Sequence, residues 1–162
     1  MIIKLDDFIL KEFDINDKND LIFLDKLIKS NNSELFCRDI KKYILTNIER
    51  RREDGITNSY ICIKDNEDIG LASVNYHPKE DKFDEEIEIG LILLDNTRGK
   101  GYGTIIEREL SEKLLEMYPR FNMIVGRIDK DNLPSLKAVQ KAGFEYVSSN
   151  EKYNSDEYVF RR

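Results

Sequence analysis

The chain has 162 residues, 40% hydrophobic, 10% aromatic and 36% charged, enough apolar material for one soluble globular domain over 1–162 and too much for a disordered segment. Asp and Glu outnumber Lys and Arg by 32 to 26, and the net charge of −6 argues against nonspecific binding to nucleic acid or an anionic membrane. No run approaches a membrane span, and MIIKLDDFILKEF lacks the features of a signal peptide. One histidine with two scattered cysteines builds neither a metal site nor a disulfide framework, so a reducing cytoplasm and no metal are expected.

Residues 2–13 alternate and mix Ile, Leu and Phe, which predicts a first strand. Leu21, Leu24, Leu27 and Ile28 then fall at helical spacing behind a cap between Asp14 and Asp17. After the polar KSNNSE, a second helix is marked by Ile40, Tyr43, Ile44, Leu45 and Ile48. Its basic ERRRE end reads as a solvated last turn set against the helix dipole. The period then changes. SYICIKD, an Asn/Asp-rich turn and IGLASVNY predict a hairpin, with Cys62 as a small core residue and His77 in a solvated polar loop. IEIGLILL is the next strand. A long amphipathic helix follows, with Ile105, Leu110, Leu114, Leu115 and Met117 as its apolar face and Pro119 as its stop. FNMIVGRI reads as a strand, and Asp131 or Asn132 caps a helix that ends near Gly143. FEYVSS and DEYVFRR close the chain as two strands. The order βααβββαβαββ predicts an α/β domain with a mixed sheet.

The stretch LLDNTRGKGYGT joins a predicted strand to a predicted helix and spends three glycines in five positions. Glycine permits left-handed backbone and close approach of a ligand, and a helix N-terminus favours an anion. Arg98 and Lys100 add positive charge, so a pyrophosphate suits the place. The GxxxxGK[ST] phosphate loop is absent. The spacing is GxGxG rather than the dinucleotide GxGxxG, and it falls late in the chain. A plain strand-to-helix turn remains open on these residues alone.

A second stretch, DNLPSLKAVQKAGF, places Asn132 at a helix start and Gly143-Phe144 eleven residues later. Together the two segments resemble the GNAT acetyltransferase superfamily. Arg98-Gly99-Lys100-Gly101-Tyr102-Gly103 matches its [RQ]-x-x-G-x-[GA] acetyl-CoA motif, and Asn132 to Phe144 is similar to its second cofactor motif. Asn132 followed by Ser135 is similar to the RimJ/RimL-like branch. The resemblance implies a mixed, mainly antiparallel twisted sheet of about seven strands flanked by about four helices. It also implies direct acetyl transfer from acetyl-CoA to a primary amine, on a small molecule such as a polyamine or aminoglycoside, or on a peptide N-terminus.

The resemblance further implies roles for particular residues. The N–H groups of Gly99, Lys100, Gly101, Tyr102, Gly103 and Thr104 bind the pyrophosphate, with Arg98 and Lys100 neutralising charge. Leu91, Ile92, Leu93 and Leu94 line the pantetheine arm, and a strand N–H among them polarises the thioester carbonyl. Asn132 reaches the pantetheine or sulfur end. Glu88 is the expected general base, with Glu86 as fallback. The family's usual tyrosine acid, seven residues after the asparagine, is replaced by Val139, so Ser135 is the expected donor to the leaving thiolate. Tyr102, Tyr146 and Tyr153 are further candidates without a spacing argument. Ser33 to Cys37 fall where the acceptor wall forms in the superfamily, and an exposed C-terminal strand edge would allow a homodimer. Two readings of other classes stand beside the enzyme: a noncatalytic CoA-binding or sensing module, and a binding domain whose glycine turn is purely structural.

Overall fold

A computed structural model describes residues 1–30, 39–81 and 84–162. Among the described residues, strands β1 (Ile2–Lys4), β2 (Ile9–Glu12), β3 (Asn58–Lys64), β4 (Glu67–His77), β5 (Glu86–Leu93), β6 (Met123–Asp129), β7 (Glu145–Asn150) and β8 (Ser155–Arg161) are accompanied by four helices. The helices are α1 (Lys18–Ile28), α2 (Ile40–Asp54), α3 (Tyr102–Met117) and α4 (Leu133–Lys141). The strands form one open eight-stranded sheet in the order β1-β2-β3-β4-β5-β6-β8-β7, a mixed α/β architecture. Eight strands rather than about seven arise because 2–13 is a hairpin and not one strand. The Leu5 N–H donates to the Phe8 carbonyl across Asp6-Asp7, and Ile3 then faces Leu10 in antiparallel register. No helix among the described residues is long and apolar enough to cross a membrane.

The chain divides into two compact units, Met1–Val74 with Leu91–Lys100, and Asn75–Gly90 with Gly101–Arg162. In the first, Phe13, Phe23, Leu24, Leu27, Ile40, Ile44, Ile61, Leu71, Ile92 and Leu94 form the core. Asp17 caps α1 by accepting from the Asn19 N–H. Inside that helix Asp20 is buried, matched by the Lys11 ammonium and the Asp14 N–H, so the charge is paired where it is desolvated. Asp39 caps α2, and Gly55 ends it in left-handed backbone. Leu45, expected on the apolar face of α2, is exposed. Cys62 is fully buried, and burial pushes its thiol up to about 12, which makes it an inert core residue.

The second unit is built on β5, β6, β8 and β7. β6 pairs with β8 in seven antiparallel register pairs from Met123↔Arg161 to Asp129↔Ser155. Ile87, Ile124, Val125, Ile106, Leu110, Leu114 and Leu115 are buried. The buried face of α3 therefore differs from the expected one. Ile106, Glu107 and Ser111 lie inside, Ile105 is half-buried, and Met117 is exposed. α3 stops at Met117 because Tyr118 precedes Pro119, which disfavours helical backbone in the residue before it. Gly143 has φ 99°, its N–H donates to the Gln140 carbonyl, and the Phe144 N–H reaches back to the Val139 carbonyl. That is a Schellman ending, at the glycine where the sequence predicts the helix to stop.

Candidate functional site

β5 carries the first part of the site. Its burial runs Ile87, Ile89, then Ile92 and Leu94, so the alternation slips by one residue across Gly90-Leu91. Its parallel register with β6 is confined to Ile87↔Ile124 and Glu88↔Val125, although β5 itself continues to Leu93. A pleated strand offers an N–H and a carbonyl at every residue, so the segment beyond Glu88 holds hydrogen-bonding capacity that this ladder does not use. Leu91, Ile92 and Leu93 lie on that segment, and Leu94 caps the 3-10 turn Asp95–Thr97 behind it.

The turn is pinned from behind. The Leu94 N–H donates to the Ile69 carbonyl, and the Thr97 hydroxyl donates to the Leu94 carbonyl at 2.7 Å. Arg98 reaches back as well. Its Nη2 donates to the Leu93 carbonyl at 2.9 Å, and its Nη1 lies 3.1 Å from Asp95. Gly70 lies opposite. A Cβ there would run into the Ile92 carbonyl oxygen and the Leu93 side chain, so glycine is required by close backbone approach.

Gly99 and Gly101 have φ of 73° and 79°, left-handed values that favour glycine. A Cβ added at either meets nothing within 4 Å. Conformation, not crowding, demands these two glycines, and the space beside them is open to a ligand. Gly101 is the N-cap of α3, and no side chain caps that helix. The N–H groups of Gly103 and Thr104 fall in the first turn, where the helix supplies no acceptor, at the positive end of its dipole. Thr104 spends its hydroxyl on the Ala138 carbonyl of α4 at 3.4 Å, which ties α3 to α4.

α4 begins at Asn132, whose Oδ1 accepts from the Ser135 N–H at 3.4 Å. Ser135 is half-buried, and its hydroxyl is not the capping group. Val139 is 3% exposed, so the position of the family's usual tyrosine is a core position here. Tyr146 and Tyr153 are both exposed, and Tyr146 shares a hydrogen bond with Ser149.

Glu88 sits in a charged row on the face of β5 opposite Ile87 and Ile89. Its Oε2 accepts from His77 Nε2 at 2.8 Å and from Arg127 Nη1 at 2.9 Å. Arg127 Nη2 also reaches Glu86 at 2.5 Å and Glu157 on β8 at 3.1 Å. Burial works against the ionised form of Glu88. The His77 hydrogen bond and the Arg127 charge outweigh it and hold the carboxyl below its ordinary range. Burial likewise opposes the charged guanidinium of Arg127, and its three carboxylates reverse the effect and raise it. Three carboxylates around one guanidinium leave a local excess of negative charge.

A family model described as an acetyltransferase (GNAT) domain matches residues 8–145. The chain belongs to the GNAT acetyltransferase family. It is an acetyl-CoA-dependent N-acetyltransferase by that membership. Its fold is similar to that of RimL, a ribosomal L7/L12 alpha-N-protein acetyltransferase in complex with coenzyme A, with TM-score 0.75, 16% identity, and 99% of this chain and 98% of that one covered. AAC(6')-Ib in complex with paromomycin and acetyl-CoA gives TM-score 0.75 at 20% identity, covering 97% and 94%. An acetyltransferase of Salmonella typhimurium that modifies the N-terminal serine of 50S ribosomal subunit protein L7/L12 gives 0.73 at 18%, covering 100% and 99%. No curated protein matches the sequence.

In this acetyltransferase, sequence reasoning located the glycine turn and the Asn132 cap but assigned two side chains differently. Arg98 is expected to face a phosphate, and its guanidinium is turned onto Leu93 and Asp95 of its own loop. His77 is expected in a solvated loop, and it is the last residue of β4, bonded to Glu88. Arg127 was missed. The only signal for it was its place as the basic residue in an otherwise apolar strand. Ser33 to Cys37 lie outside the described residues. Among the described residues, no group of three or more His, Cys, Asp or Glu is arranged to hold a metal ion.

Proposed function

We propose that residues 1–162 act as one catalytic unit that moves acetyl from acetyl-CoA directly onto a primary amine. The acceptor is a small cationic molecule such as a polyamine or aminoglycoside, or a peptide N-terminus. The observation that carries the reading is the strand–turn–helix of Leu91 to Thr104. Two glycines hold left-handed backbone with open space beside them and lead into an uncapped helix N-terminus. Gly99 to Thr104 suit a pyrophosphate there, and Lys100 adds charge.

Bound acetyl-CoA supplies an acetyl carbonyl activated as a thioester, with a thiolate as leaving group. The backbone of Leu91 to Leu94 flanks the pantetheine arm, and an N–H from this segment polarises the carbonyl. The Ser135 hydroxyl donates a hydrogen bond to the departing sulfur, with Asn132 fixing the helix start that positions it. The acceptor ammonium loses its proton at the Glu88 carboxylate and the His77 ring bonded to it, because only the neutral amine has a lone pair. The excess carboxylate charge around Arg127 supports a cationic acceptor. The acidic net charge supports a partner other than nucleic acid or membrane, and the buried Cys62 thiol suits a reducing cytoplasm. The C-terminal strand β8 is paired on both sides, by β6 and β7, and is not the expected edge; the free edge beside it is β7, with all six residues exposed, and that is the surface we assign to a homodimer.

Mass-shift screening for acetylated product across polyamines, aminoglycosides and N-terminal peptides tests the reading, beside calorimetry with CoA. Turnover on any of these supports it. A second reading, a noncatalytic CoA-binding module, is favoured by one observation, the burial of Val139 where the family keeps its acid. Tight CoA binding without any acetylated product would select it.

A further inference from the structure

We propose that His77 is the group that takes the proton from the acceptor ammonium, and that Glu88 acts as its positioning residue. The inference rests on the amine acetyltransferase reading and specifies its proton acceptor.

The geometry assigns the roles. An ionised carboxylate only accepts hydrogen bonds, so the 2.8 Å contact from Glu88 Oε2 places the ring proton on Nε2 of His77. That tautomer leaves the lone pair on Nδ1. His77 makes no other hydrogen bond or ion pair among the described residues, and its side chain is 41% exposed, so Nδ1 is uncommitted there. Glu88 is the less suitable base. It is 24% exposed, and the same oxygen is already held by Arg127 at 2.9 Å. A carboxyl held below its ordinary range in this way binds a proton weakly near neutrality, whereas imidazole is the side chain suited to proton transfer there.

The charged groups around the pair come from every strand in the row. β5 contributes Glu86, β6 Arg127 and β8 Glu157. Their negative excess draws a cationic amine toward the row. The step balances. The ammonium N–H bond breaks, its proton goes to Nδ1, and the pair left on nitrogen forms the C–N bond as the C–S bond of the thioester breaks; the second proton shed by the acylated nitrogen ends on the departing thiolate, which leaves as the CoA thiol. The imidazolium is stabilised by Glu88 and returns its proton to solvent.

His77 is the only histidine in the chain, so one imidazole signal reports on it without assignment. Nitrogen NMR of the whole protein should show a neutral Nε2–H tautomer, and Glu88→Gln should shift the mixture toward Nδ1–H. An Nδ1–H tautomer in the wild type overturns the proposal. Kinetics then use acetyl-CoA with spermidine, kanamycin and a serine-initiated peptide as acceptors. His77→Ala and His77→Gln should lower kcat about 100-fold or more with CoA affinity unchanged, and lose the acidic limb of the pH profile. Added imidazole should restore turnover in His77→Ala. Glu88→Gln should lose about tenfold and gain nothing from imidazole. Wild-type-like turnover in both His77 variants, or a loss with the acidic limb intact and no rescue, overturns the assignment while the acetyltransferase reading stands. Wild type that acetylates none of the three acceptors overturns both.

Discussion

The Ser111 hydroxyl donates to the Glu107 backbone carbonyl at 2.6 Å, one helical turn back on the buried face of α3. The Glu107 carboxyl beside it has no hydrogen-bond partner among the described residues for its buried Oε2, and burial pushes the group up to about 8. The folded protein keeps this proton up to about pH 8, while the unfolded chain releases it near 4.5. The unfolded state therefore binds fewer protons between these values, and stability falls as pH rises through that window, levelling above it. At roughly 1.4 kcal/mol per unit, the loss is on the order of a few kcal/mol. Denaturant titrations at pH 5 and pH 9 should show Glu107→Gln with a flatter dependence than wild type and higher stability at pH 9. Parallel curves for the two proteins would show that the carboxyl is solvated.

Gly101 requires left-handed backbone without crowding, so Gly101→Ala should cost about 1–2 kcal/mol by conformation alone. Gly101→Asn should cost less, since asparagine tolerates that region better. Both should weaken CoA binding in calorimetry. Alanine binding as tightly as wild type would remove the turn from the ligand site.

Arg98 separates charge from architecture. Arg98→Ala should weaken CoA about tenfold by releasing the Leu93 carbonyl and Asp95, and Arg98→Lys should recover little, because an ammonium does not reproduce the forked contact. A lysine variant that binds as wild type would mean that charge at the phosphate, not the fastening of the loop, is what Arg98 supplies.

Asn132 and Ser135 divide along the same line. Asn132→Ala removes the cap of α4 and should cost about 1 kcal/mol in stability. Ser135→Ala keeps the capping N–H and should leave stability unchanged, while kcat falls about tenfold with loss of the donor to sulfur. Unaltered kcat in Ser135→Ala would exclude that role.

Local chemistry was legible in the sequence, and lateral pairing was not. Gly99, Gly101, Asn132, Gly143 and Pro119 act through backbone angles or contacts a few residues away, and each stands where its residue type predicts. The 2–13 hairpin was hidden because Asp6-Asp7 lacks glycine and proline while apolar residues continue on both sides. The α3 face was misjudged by one residue because Glu107 and Ser111 carry polar side chains that periodicity assigns to solvent. The His77–Glu88–Arg127 row joins residues up to 50 positions apart through strand register, which no single segment encodes.

Gly70 extends the proposed ligand loop beyond its own sequence. The Ile69 carbonyl beside it receives the Leu94 N–H, and the Thr97 hydroxyl that donates to Leu94 lies 3.3 Å from the same oxygen, so the loop ahead of Gly99 springs from a point set on β4. Any side chain at position 70 pushes that point away from Ile92. In a genetic screen Gly70 substitutions should sort with lesions of the Gly99–Gly103 turn, although they lie some thirty residues upstream on another strand.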